Sequence, residues 1–258
     1  MTFAVAADAY DRHIGRYGAE LAAALAGVAG VRAGHRVLDV GSGPGALTKV
    51  LVELVGGEDV AAVDPSEPFV AALRTRLPSV DVRLASAERL PFADAEFDAA
   101  LAQLVVNFMA DPESGVRKMR RVVRVGGAVG ACVWDYPGEM LLLRAFWDAA
   151  AEVAPELVAE RDERTTMRFD EEDELSDLWR RCGLEDVEAG ELVVSAAYES
   201  FDDLWEPYTR GVGPAGAYVV SLEEEDRETL RGEYERRLGS PRGPFRLSAR
   251  AWYAVGRV

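Results

Sequence analysis

The stretch VLDVGSGPGALT, residues 37–48, decides the fold of this chain. It begins as a short apolar strand that contains Asp39, and it then places Gly41, Gly43 and Gly45 at alternate positions before a segment with helical spacing. A carboxylate in an apolar strand is costly unless something compensates it. Glycines permit positive φ and let a ligand approach the backbone, and the free N–H groups at the start of the next helix favour an anion. The stretch therefore predicts a strand–loop–helix unit that binds a polar ligand.

The segments after this stretch repeat the same alternation of strand and helix. We expect strands over residues 36–40, 59–64, 80–85, 97–104 and 128–136, and helices over residues 47–55, 68–77 and 113–125. Strands that alternate with helices are typical of a parallel sheet with helices on both faces.

The regular alternation of strands and helices ends at residue 136. Helices are expected over residues 140–159 and 175–184, β-type alternation occurs in 185–198 and 245–258, and residues 199–243 are mostly helical in pattern. The two late β segments suit an antiparallel pair at the sheet edge. The predicted class is α/β: a doubly wound, Rossmann-like, mostly parallel seven-stranded sheet with an antiparallel edge strand and helical lid insertions.

The expected domain organisation follows from this pattern. Residues 1–258 are predicted to form a single domain, with an N-terminal helical arm over 1–30 whose helix spans 9–29. The insertions 137–169 and 199–243 are expected to form a lid, because such material tends to cover the cleft at the carboxyl ends of the strands. The alternative is that they extend the hydrophobic core.

Composition and charge exclude several classes of protein. The 258 residues are 49% hydrophobic and 9% aromatic, as in a globular protein. Lys and Arg number 29 against 45 Asp and Glu, for a net charge of −16. Such a surface repels phosphate backbones and anionic membranes, so we expect no nucleic-acid partner and no membrane partner.

Cysteine, histidine and hydropathy patterns give three more expectations. Two cysteines, Cys132 and Cys182, are too few for a disulfide framework or a Cys-rich zinc site. Two histidines at unrelated positions predict no catalytic metal. The first residues lack a basic region ahead of an apolar run, and the apolar runs fall short of a membrane span. We therefore expect a cytoplasmic protein.

The glycine spacing discriminates between ligand classes. The dinucleotide fingerprint is G-x-G-x-x-G, whereas this loop reads D-x-G-x-G-x-G, and Lys49 follows Thr48 rather than a glycine, unlike a phosphate-binding P-loop. Asp64 ends the second strand 23 positions after Gly41, where a carboxylate can accept hydrogen bonds from both hydroxyls of a ribose. Together these residues predict a nucleoside pocket. An NAD-dependent oxidoreductase is disfavoured but stays an alternative.

Four stretches carry a resemblance to a known family: VLDVGSGPGALT, VAAVDPSEPFV, ASAERLPFADAEFDAALAQLVVNFMADP and RVVRVGGAVGACVWDY. They resemble the class I S-adenosylmethionine-dependent methyltransferases, especially the small-molecule branch similar to quinone-biosynthesis C-methyltransferases. The likeness runs from about residue 36 to residue 136. It implies S-adenosylmethionine as cofactor, a small-molecule acceptor, and a monomer or homodimer.

The resemblance also implies a set of cofactor-binding residues. The methionine end of the cofactor would be held by Asp39, Gly41, Ser42 and Gly43, the ribose by Asp64, and the adenine by Pro65, Ser86, Ala87 and Glu88, with Gln103 and Leu104 closing the pocket. This family commonly has Asp where Ser86 stands, which leaves open whether Ser86 or another atom receives the hydrogen bond of the adenine amino group.

Catalytic and acceptor-binding candidates are fewer. If the acceptor must lose a proton, His13 and Asp135 are the candidate bases. The predicted substrate contacts are aromatic: Tyr10, Tyr17, Trp134, Trp147 and Trp205. Each of these rings could instead serve packing. A protein that binds S-adenosylmethionine without turnover is the alternative function, because no obvious base accompanies the pocket.

Overall fold

The described strands form one seven-stranded sheet. The computed structural model describes residues 13–158 and 161–258. The strands are β1 (Val37–Val40), β2 (Val60–Asp64), β3 (Asp81–Leu84), β4 (Phe97–Gln103), β5 (Val123–Trp134), β6 (Glu185–Tyr198) and β7 (Phe245–Arg257). Their order in the sheet is β3-β2-β1-β4-β5-β7-β6. Strands β1 to β5 pair in parallel, and β7 runs antiparallel to β5. The predicted fold class is therefore confirmed.

The described helices follow the predicted alternation. They are α1 (Gly18–Val28), α2 (Ala46–Val55), α3 (Glu67–Arg76), α4 (Pro112–Val122), α5 (Leu141–Val153), α6 (Pro155–Val158), α7 (Glu163–Thr166), α8 (Glu172–Arg181), α9 (Phe201–Thr209), α10 (Gly213–Ser221) and α11 (Glu224–Arg237). Short 3-10 segments span Ile14–Tyr17, Gly57–Asp59, Ala87–Arg89 and Val106–Phe108. Among the described residues, no helix has the length and apolarity needed to cross a membrane.

The chain divides into two compact units. The sheet unit comprises Gly18–Trp134, Phe169–Leu192 and Ala251–Val258. Its strands β1 and β2 are buried along their whole length, as expected for parallel strands covered on both faces. The order of the strands reverses between β1 and β4, and the carboxyl ends at such a reversal are where open α/β sheets bind ligands.

The helical unit comprises the described residues 13–17 together with Asp135–Arg168 and Val193–Arg250. Helices α5, α9, α10 and α11 of this unit meet through aromatic side chains that are almost fully buried. These rings are Phe146, Trp147, Trp205, Tyr208, Tyr218 and Tyr234. The role of residues 137–169 and 199–243 as a lid stays a prediction.

The fifth strand differs from its prediction at both ends. Helix α4 ends at Val122, and β5 begins at Val123 rather than at residue 128. Its pairing with β4 jumps from Phe97–Val123 to Ala99–Ala128, so the intervening residues form an irregular bulge that Gly126 permits with φ of 78°. The strand ends at Trp134, which leaves Asp135 beyond it.

Three helices also differ from their predicted limits. One of them, α8, spans Glu172–Arg181 instead of residues 175–184. The helix expected over residues 140–159 stops at Val153, because Pro155 disfavours a helical conformation at Ala154 and cannot donate the next hydrogen bond. In the N-terminal arm, Ile14–Tyr17 is a 3-10 turn and α1 begins only at Gly18. Gly30 ends the arm with φ of 72°, as predicted. Residues 1–12 lie outside the described part.

Candidate functional site

Asp39 joins the end of β1 to the first turn of α2. Its carboxylate is 1% exposed and accepts a 2.5 Å hydrogen bond from Thr48 Oγ1. Burial raises the pKa of Asp39 to about 7, with a smaller contribution from the charge of Asp64, while the bond from Thr48 acts in the opposite direction. Asp39 therefore links β1 to the helix that follows the glycine loop, and the pKa of its carboxyl lies near neutrality.

Asp64, at the end of β2, orients the same loop. Its Oδ2 accepts the N–H of Gly43 and its Oδ1 accepts the N–H of Ser66, both at 2.8 Å. Burial raises the pKa of Asp64, and these two hydrogen bonds oppose the shift. Each carboxylate oxygen can accept more than one hydrogen bond, so Asp64 can hold the loop and still receive hydroxyl donors.

The glycine loop is packed on one side and open on the other. Gly41 has φ of 74°, and a Cβ placed on it would lie 2.5 Å from Val105 Cγ1. Gly43 has φ of 51°, and nothing lies within 4 Å of where its Cβ would stand. Val105 thus seals one face of the loop, while the other face leaves the backbone accessible.

Two polar groups beside this loop are left unsatisfied. The buried Ser42 hydroxyl and Gln103 Oε1 have no hydrogen-bond partner among the described residues. Gln103 Nε2 donates to the carbonyl of Gly18 at 3.1 Å, which fixes the amide at the end of β4. Helix α2 begins at Gly45 without a side-chain cap. The site therefore offers unpaired side-chain oxygens beside an uncapped helix N-terminus.

Leu104 follows Gln103 in a strained conformation. Its φ is 61°, in the left-handed region that a leucine seldom adopts, and its N–H donates to the carbonyl of Cys132 at 2.9 Å. Strain of this kind persists where the surrounding structure imposes it, often at functional sites. The predicted pocket-closing residues, Gln103 and Leu104, thus lie at the strand-order reversal.

The loop after β3 is held by Glu88. Its Oε1 accepts the N–H groups of Ala110 at 3.1 Å and Asp111 at 3.3 Å, and the Ser86 side chain also donates to this carboxylate. Burial would raise the pKa of Glu88, but these hydrogen bonds and one from its own backbone outweigh it and lower the pKa. Ala87 is buried and Pro65 is exposed. The Ser86 and Glu88 side chains are thus engaged with protein groups, whereas contact with adenine stays a prediction.

Asp135 is held by hydrogen bonds from its own turn and by an ion pair. Its carboxylate accepts the N–H groups of Gly138 and Glu139 at 3.1 and 2.8 Å, and it forms an ion pair with Arg250 at 2.7 Å. A carboxylate that accepts from this many donors holds its turn in place. These contacts give Asp135 a structural role, and a catalytic role for it stays a prediction.

His13 is buried in the helical unit. It is 3% exposed, its ring meets Tyr208 edge-on with a centroid distance of 4.5 Å, and its Nδ1 has no hydrogen-bond partner among the described residues. Burial, with the nearby charge of Arg16, lowers the pKa of His13 to about 3. A neutral imidazole of such low basicity is poorly suited to remove a proton near pH 7.

The predicted aromatic substrate contacts are largely buried. Tyr17 is fully buried with its hydroxyl against that of Tyr198 at 3.4 Å, and Trp147 Nε1 donates to Glu163 Oε2 at 2.6 Å. Trp134 and Trp205 are 2% and 6% exposed. Tyr10 lies outside the described residues. A substrate role for these residues stays a prediction.

Part of the sequence is similar to proteins of known family. Residues 38–130 match the family of methyltransferase domains. An uncharacterized methyltransferase of Mycobacterium tuberculosis is 40% identical over 109 residues, which are 42% of this chain and 43% of that protein. The ubiquinone/menaquinone biosynthesis C-methyltransferase UbiE of Pseudomonas fluorescens is 35% identical over 126 residues, 46% of this chain and 49% of that protein. The chain thus aligns with less than half the length of these curated relatives.

Solved structures share the fold of the methyltransferase domain. A proposed type II methyltransferase from Anaeromyxobacter dehalogenans superposes with a TM-score of 0.65 at 23% identity, covering 94% of this chain and 97% of that one. The [4+2]-cyclase SpnF superposes with a TM-score of 0.58 at 20% identity, covering 92% of this chain and 80% of that one. These comparisons confirm the resemblance to methyltransferases over the domain that residues 38–130 match, and that resemblance implies S-adenosylmethionine as the cofactor.

The residues of the loop fit this cofactor. S-adenosylmethionine carries an ammonium group, a carboxylate and a ribose diol. The unpaired oxygens of Ser42 and Gln103 suit donors such as the ammonium, the uncapped start of α2 suits the carboxylate, and Asp64 suits the diol. The open side of Gly43 leaves room for close approach.

Three residues with important contacts were not predicted from the sequence. Thr48 anchors Asp39, Val105 packs on Gly41, and Glu163 is a buried carboxyl in the helical unit. Thr48 stands within the decisive stretch, nine positions after Asp39, so a hydroxyl in the first helical turn was an available signal. The pairs Gly41–Val105 and Trp147–Glu163 depend on tertiary contacts that no local pattern reveals.

Proposed function

We propose that the chain transfers the methyl group of S-adenosylmethionine to a small-molecule acceptor. The observation that carries the proposal is the double use of Asp64, whose carboxylate fixes the N–H groups of Gly43 and Ser66 at the strand-order reversal of a methyltransferase domain. The relatives named above support methyl transfer as the chemistry. The negative net charge of −16 supports a small molecule over a nucleic acid.

The proposed mechanism relies on positioning. Bound S-adenosylmethionine supplies an electrophilic methyl group on a sulfonium. Asp64 and Asp39 hold the glycine loop in one conformation through Gly43 and Thr48, which limits the freedom of whatever binds there. Holding two reactants in a productive orientation contributes about 7–11 kcal/mol in favourable cases. Neither His13 nor Asp135 is assigned as a base, so the acceptor is expected to be a good nucleophile without one.

Ligand-dependent melting tests the cofactor assignment. A bound ligand raises the melting temperature of the native state, so S-adenosylhomocysteine should stabilise the protein and NADH should not. The variant Asp64→Ala should lose the shift, because it removes the acceptor and frees the N–H of Gly43. Asp59→Ala, an exposed carboxylate before β2, is the matched control and should keep it. A shift with NADH, or an unchanged shift in Asp64→Ala, contradicts the assignment.

Binding without turnover is the second candidate function. The cyclase SpnF has the same fold, so the fold alone does not establish methyl transfer, and Asp135 is occupied by structural hydrogen bonds. Mass spectrometry after incubation with S-adenosylmethionine and a panel of small nucleophiles separates the two functions. Release of S-adenosylhomocysteine together with an acceptor heavier by one methylene supports methyl transfer, whereas saturable binding with no product across the panel supports the non-catalytic alternative.

A further inference from the structure

A cavity of about 490 Å³ opens beside the last two strands of the sheet. Its lining residues come from β6 and β7, and they are Asp186, Val187, Glu188, Val255 and Arg257. All five belong to the sheet unit. Small-molecule sites in proteins have volumes of about 300–1,000 Å³, so this cavity has the size of a ligand site.

The cavity lies at the opposite end of the sheet from the glycine loop. Arg257 pairs with Ala128 near the start of β5, whereas the glycine loop follows the carboxyl end of β1. Strands β1, β4 and β5 run parallel, so the start of β5 and the end of β1 lie at opposite ends of the strands. A ligand in the cavity therefore occupies a site separate from the proposed S-adenosylmethionine site.

The charged side chains of the cavity are not paired with each other. Among the residues that the structure describes, Arg257, Asp186 and Glu188 form no ion pair and no side-chain hydrogen bond. The guanidinium lies instead beside the end of the N-terminal arm, since a Cβ placed on Gly30 would be 3.9 Å from Arg257 Nη2. The cavity therefore carries one cationic and two anionic groups whose hydrogen-bonding capacity the protein does not use.

A kink in β6 brings three consecutive residues to the cavity. Asp186 has φ of 45°, a left-handed conformation that aspartate adopts more readily than most residues. In a regular strand consecutive side chains point to opposite faces, yet residues 186, 187 and 188 all line this cavity. The irregular backbone at Asp186 accounts for that difference, and backbone conformations of this kind are frequent at binding sites.

We propose that the cavity binds a zwitterionic small molecule with an aliphatic body, of about the size of a dipeptide. The carboxylates of Asp186 and Glu188 receive its ammonium group, and the planar guanidinium of Arg257 holds its carboxylate. Val255 is 3% exposed and Val187 is half-buried, so they form the apolar part of the cavity against which the aliphatic groups pack.

The combination of charges favours a zwitterion over other ligands. Two carboxylates repel an anion, and a ligand with positive charge alone would leave Arg257 unpaired and be repelled by it. A neutral apolar molecule would leave all three charged groups without partners. A ligand with one charge of each sign pairs with both kinds of group.

Isothermal titration calorimetry of the full chain with L-leucyl-L-leucine tests the proposal. The expected result is saturable binding of this dipeptide at about pH 7, where it is a zwitterion. N-acetyl-L-leucyl-L-leucine lacks the ammonium group and L-leucyl-L-leucinamide lacks the carboxylate, so each should bind at least about fivefold more weakly. The comparison of the three peptides on the wild type tests the charge assignment without any variant.

Two variants then assign each charge of the peptide to its partner. Arg257→Met should bind L-leucyl-L-leucine at least about fivefold more weakly and lose the preference for a free carboxylate. The double variant Asp186→Asn with Glu188→Gln should lose the preference for a free ammonium group, and asparagine tolerates the left-handed backbone at position 186. Arg242→Met, which replaces an exposed arginine before β7, is the matched control and should bind as the wild type does.

Three results would overturn the proposal. They are the absence of saturable binding to the wild type, equal affinities for the three peptides, and a preference for the free carboxylate that persists in Arg257→Met. Thermal melting shows that each variant is folded, since substitutions of exposed or half-buried polar groups should leave the melting temperature close to that of the wild type. Parallel titration with S-adenosylhomocysteine separates the two sites, because normal binding of that compound in every variant leaves the cofactor assignment standing.

Discussion

Glu88 shows how one side chain can order two loops of the cofactor region. Its carboxylate receives the N–H groups of Ala110 and Asp111 and the Ser86 side chain. Asp111 in turn caps helix α4 through the N–H of Ser114. The loop after β3 and the segment before α4 are therefore held by one acceptor group, and we regard Glu88 as a positioning residue.

Replacing this acceptor should weaken cofactor binding. Glu88→Ala removes the partner of two backbone N–H groups, and a loss of about 1–2 kcal/mol corresponds to roughly 5- to 30-fold weaker binding of S-adenosylhomocysteine by calorimetry. Glu88→Gln keeps one acceptor oxygen and should recover most of the affinity, while Glu58→Ala, exposed before β2, should have no effect. Equal affinities in Glu88→Ala and wild type would show that the two loops do not need this carboxylate.

At the scale of residues, the sequence located the important acids but not their partners. Asp39 and Asp64 were predictable because each stands at the end of an apolar strand beside a glycine-rich turn. Their engagement with Thr48 and Gly43 depends on how the loop folds back, which only the structure specifies. His13 was predicted as a base from its residue type, whereas its burial and lowered pKa come from the helices that enclose it.

At the scale of elements, the glycine loop owes its conformation to two separate constraints at Gly41. The backbone has φ of 74°, and Val105 fills the space where a side chain would stand. The segment after β4, which contains Val105, therefore leaves no space for a side chain at Gly41 in the loop between β1 and α2.

The two constraints can be separated by mutation. Gly41→Ala should weaken S-adenosylhomocysteine binding by at least about tenfold, because both positive φ and the contact with Val105 oppose a methyl group. Gly41→Ala combined with Val105→Ala should recover part of the affinity, since the contact is relieved and the backbone penalty remains. Calorimetry measures the S-adenosylhomocysteine affinity of the wild type, of Gly41→Ala and of the double variant, and the difference between the two variants gives the contribution of Val105.

Gly126→Ala provides the control for the backbone penalty alone. Gly126 has φ of 78° with nothing within 4 Å of its Cβ position, and it lies in the bulge at the start of β5. This variant should lower the melting temperature and leave S-adenosylhomocysteine affinity unchanged. Failure of the double variant to bind better than Gly41→Ala would remove Val105 from the explanation.

The elements themselves were well indicated by periodicity, and their ends less so. The apolar strands β1, β2 and β4 and the helix after the glycine loop lie within a residue or two of their predictions. Helix α4 was predicted three residues too long because VVRV continues an apolar pattern that suits either helix or strand. These residues form the start of β5 because Val123 pairs with Phe97 of β4, and a pairing between residues so far apart in the sequence is not visible in the local pattern.

At the scale of the whole molecule, three buried titratable groups shape the dependence of stability on pH. Glu163 has an ordinary pKa of 4.5 and a folded pKa of about 8, and Asp39 has values of 3.8 and about 7. Between these values the folded state holds the proton that the unfolded state has lost, so the free energy of unfolding falls as pH rises. His13, with an ordinary pKa of 6.5 and a folded value of about 3, has the opposite effect over that window.

Between pH 7 and pH 8 Glu163 contributes most of the change among these three groups, because folded Asp39 loses the rest of its proton early in this interval. We expect the free energy of unfolding of the wild type to fall there by up to about 1.4 kcal/mol per pH unit. Glu163→Gln cannot ionise and keeps an oxygen for the Trp147 indole N–H, so its stability should fall much less over the same interval. It should match the wild type only below about pH 4.5, where Glu163 is protonated in both the folded and the unfolded state. Urea unfolding at several pH values measures both curves.

Glu233→Gln is the matched control for this prediction. Glu233 is a partly exposed carboxylate on α11 whose pKa is lowered mainly by its hydrogen bond from Arg236, so it is already ionised in folded and unfolded states alike above pH 7. Its variant should retain the wild-type slope between pH 7 and pH 8. An unchanged slope in Glu163→Gln would mean that the buried carboxyl beside Trp147 is not protonated at neutral pH.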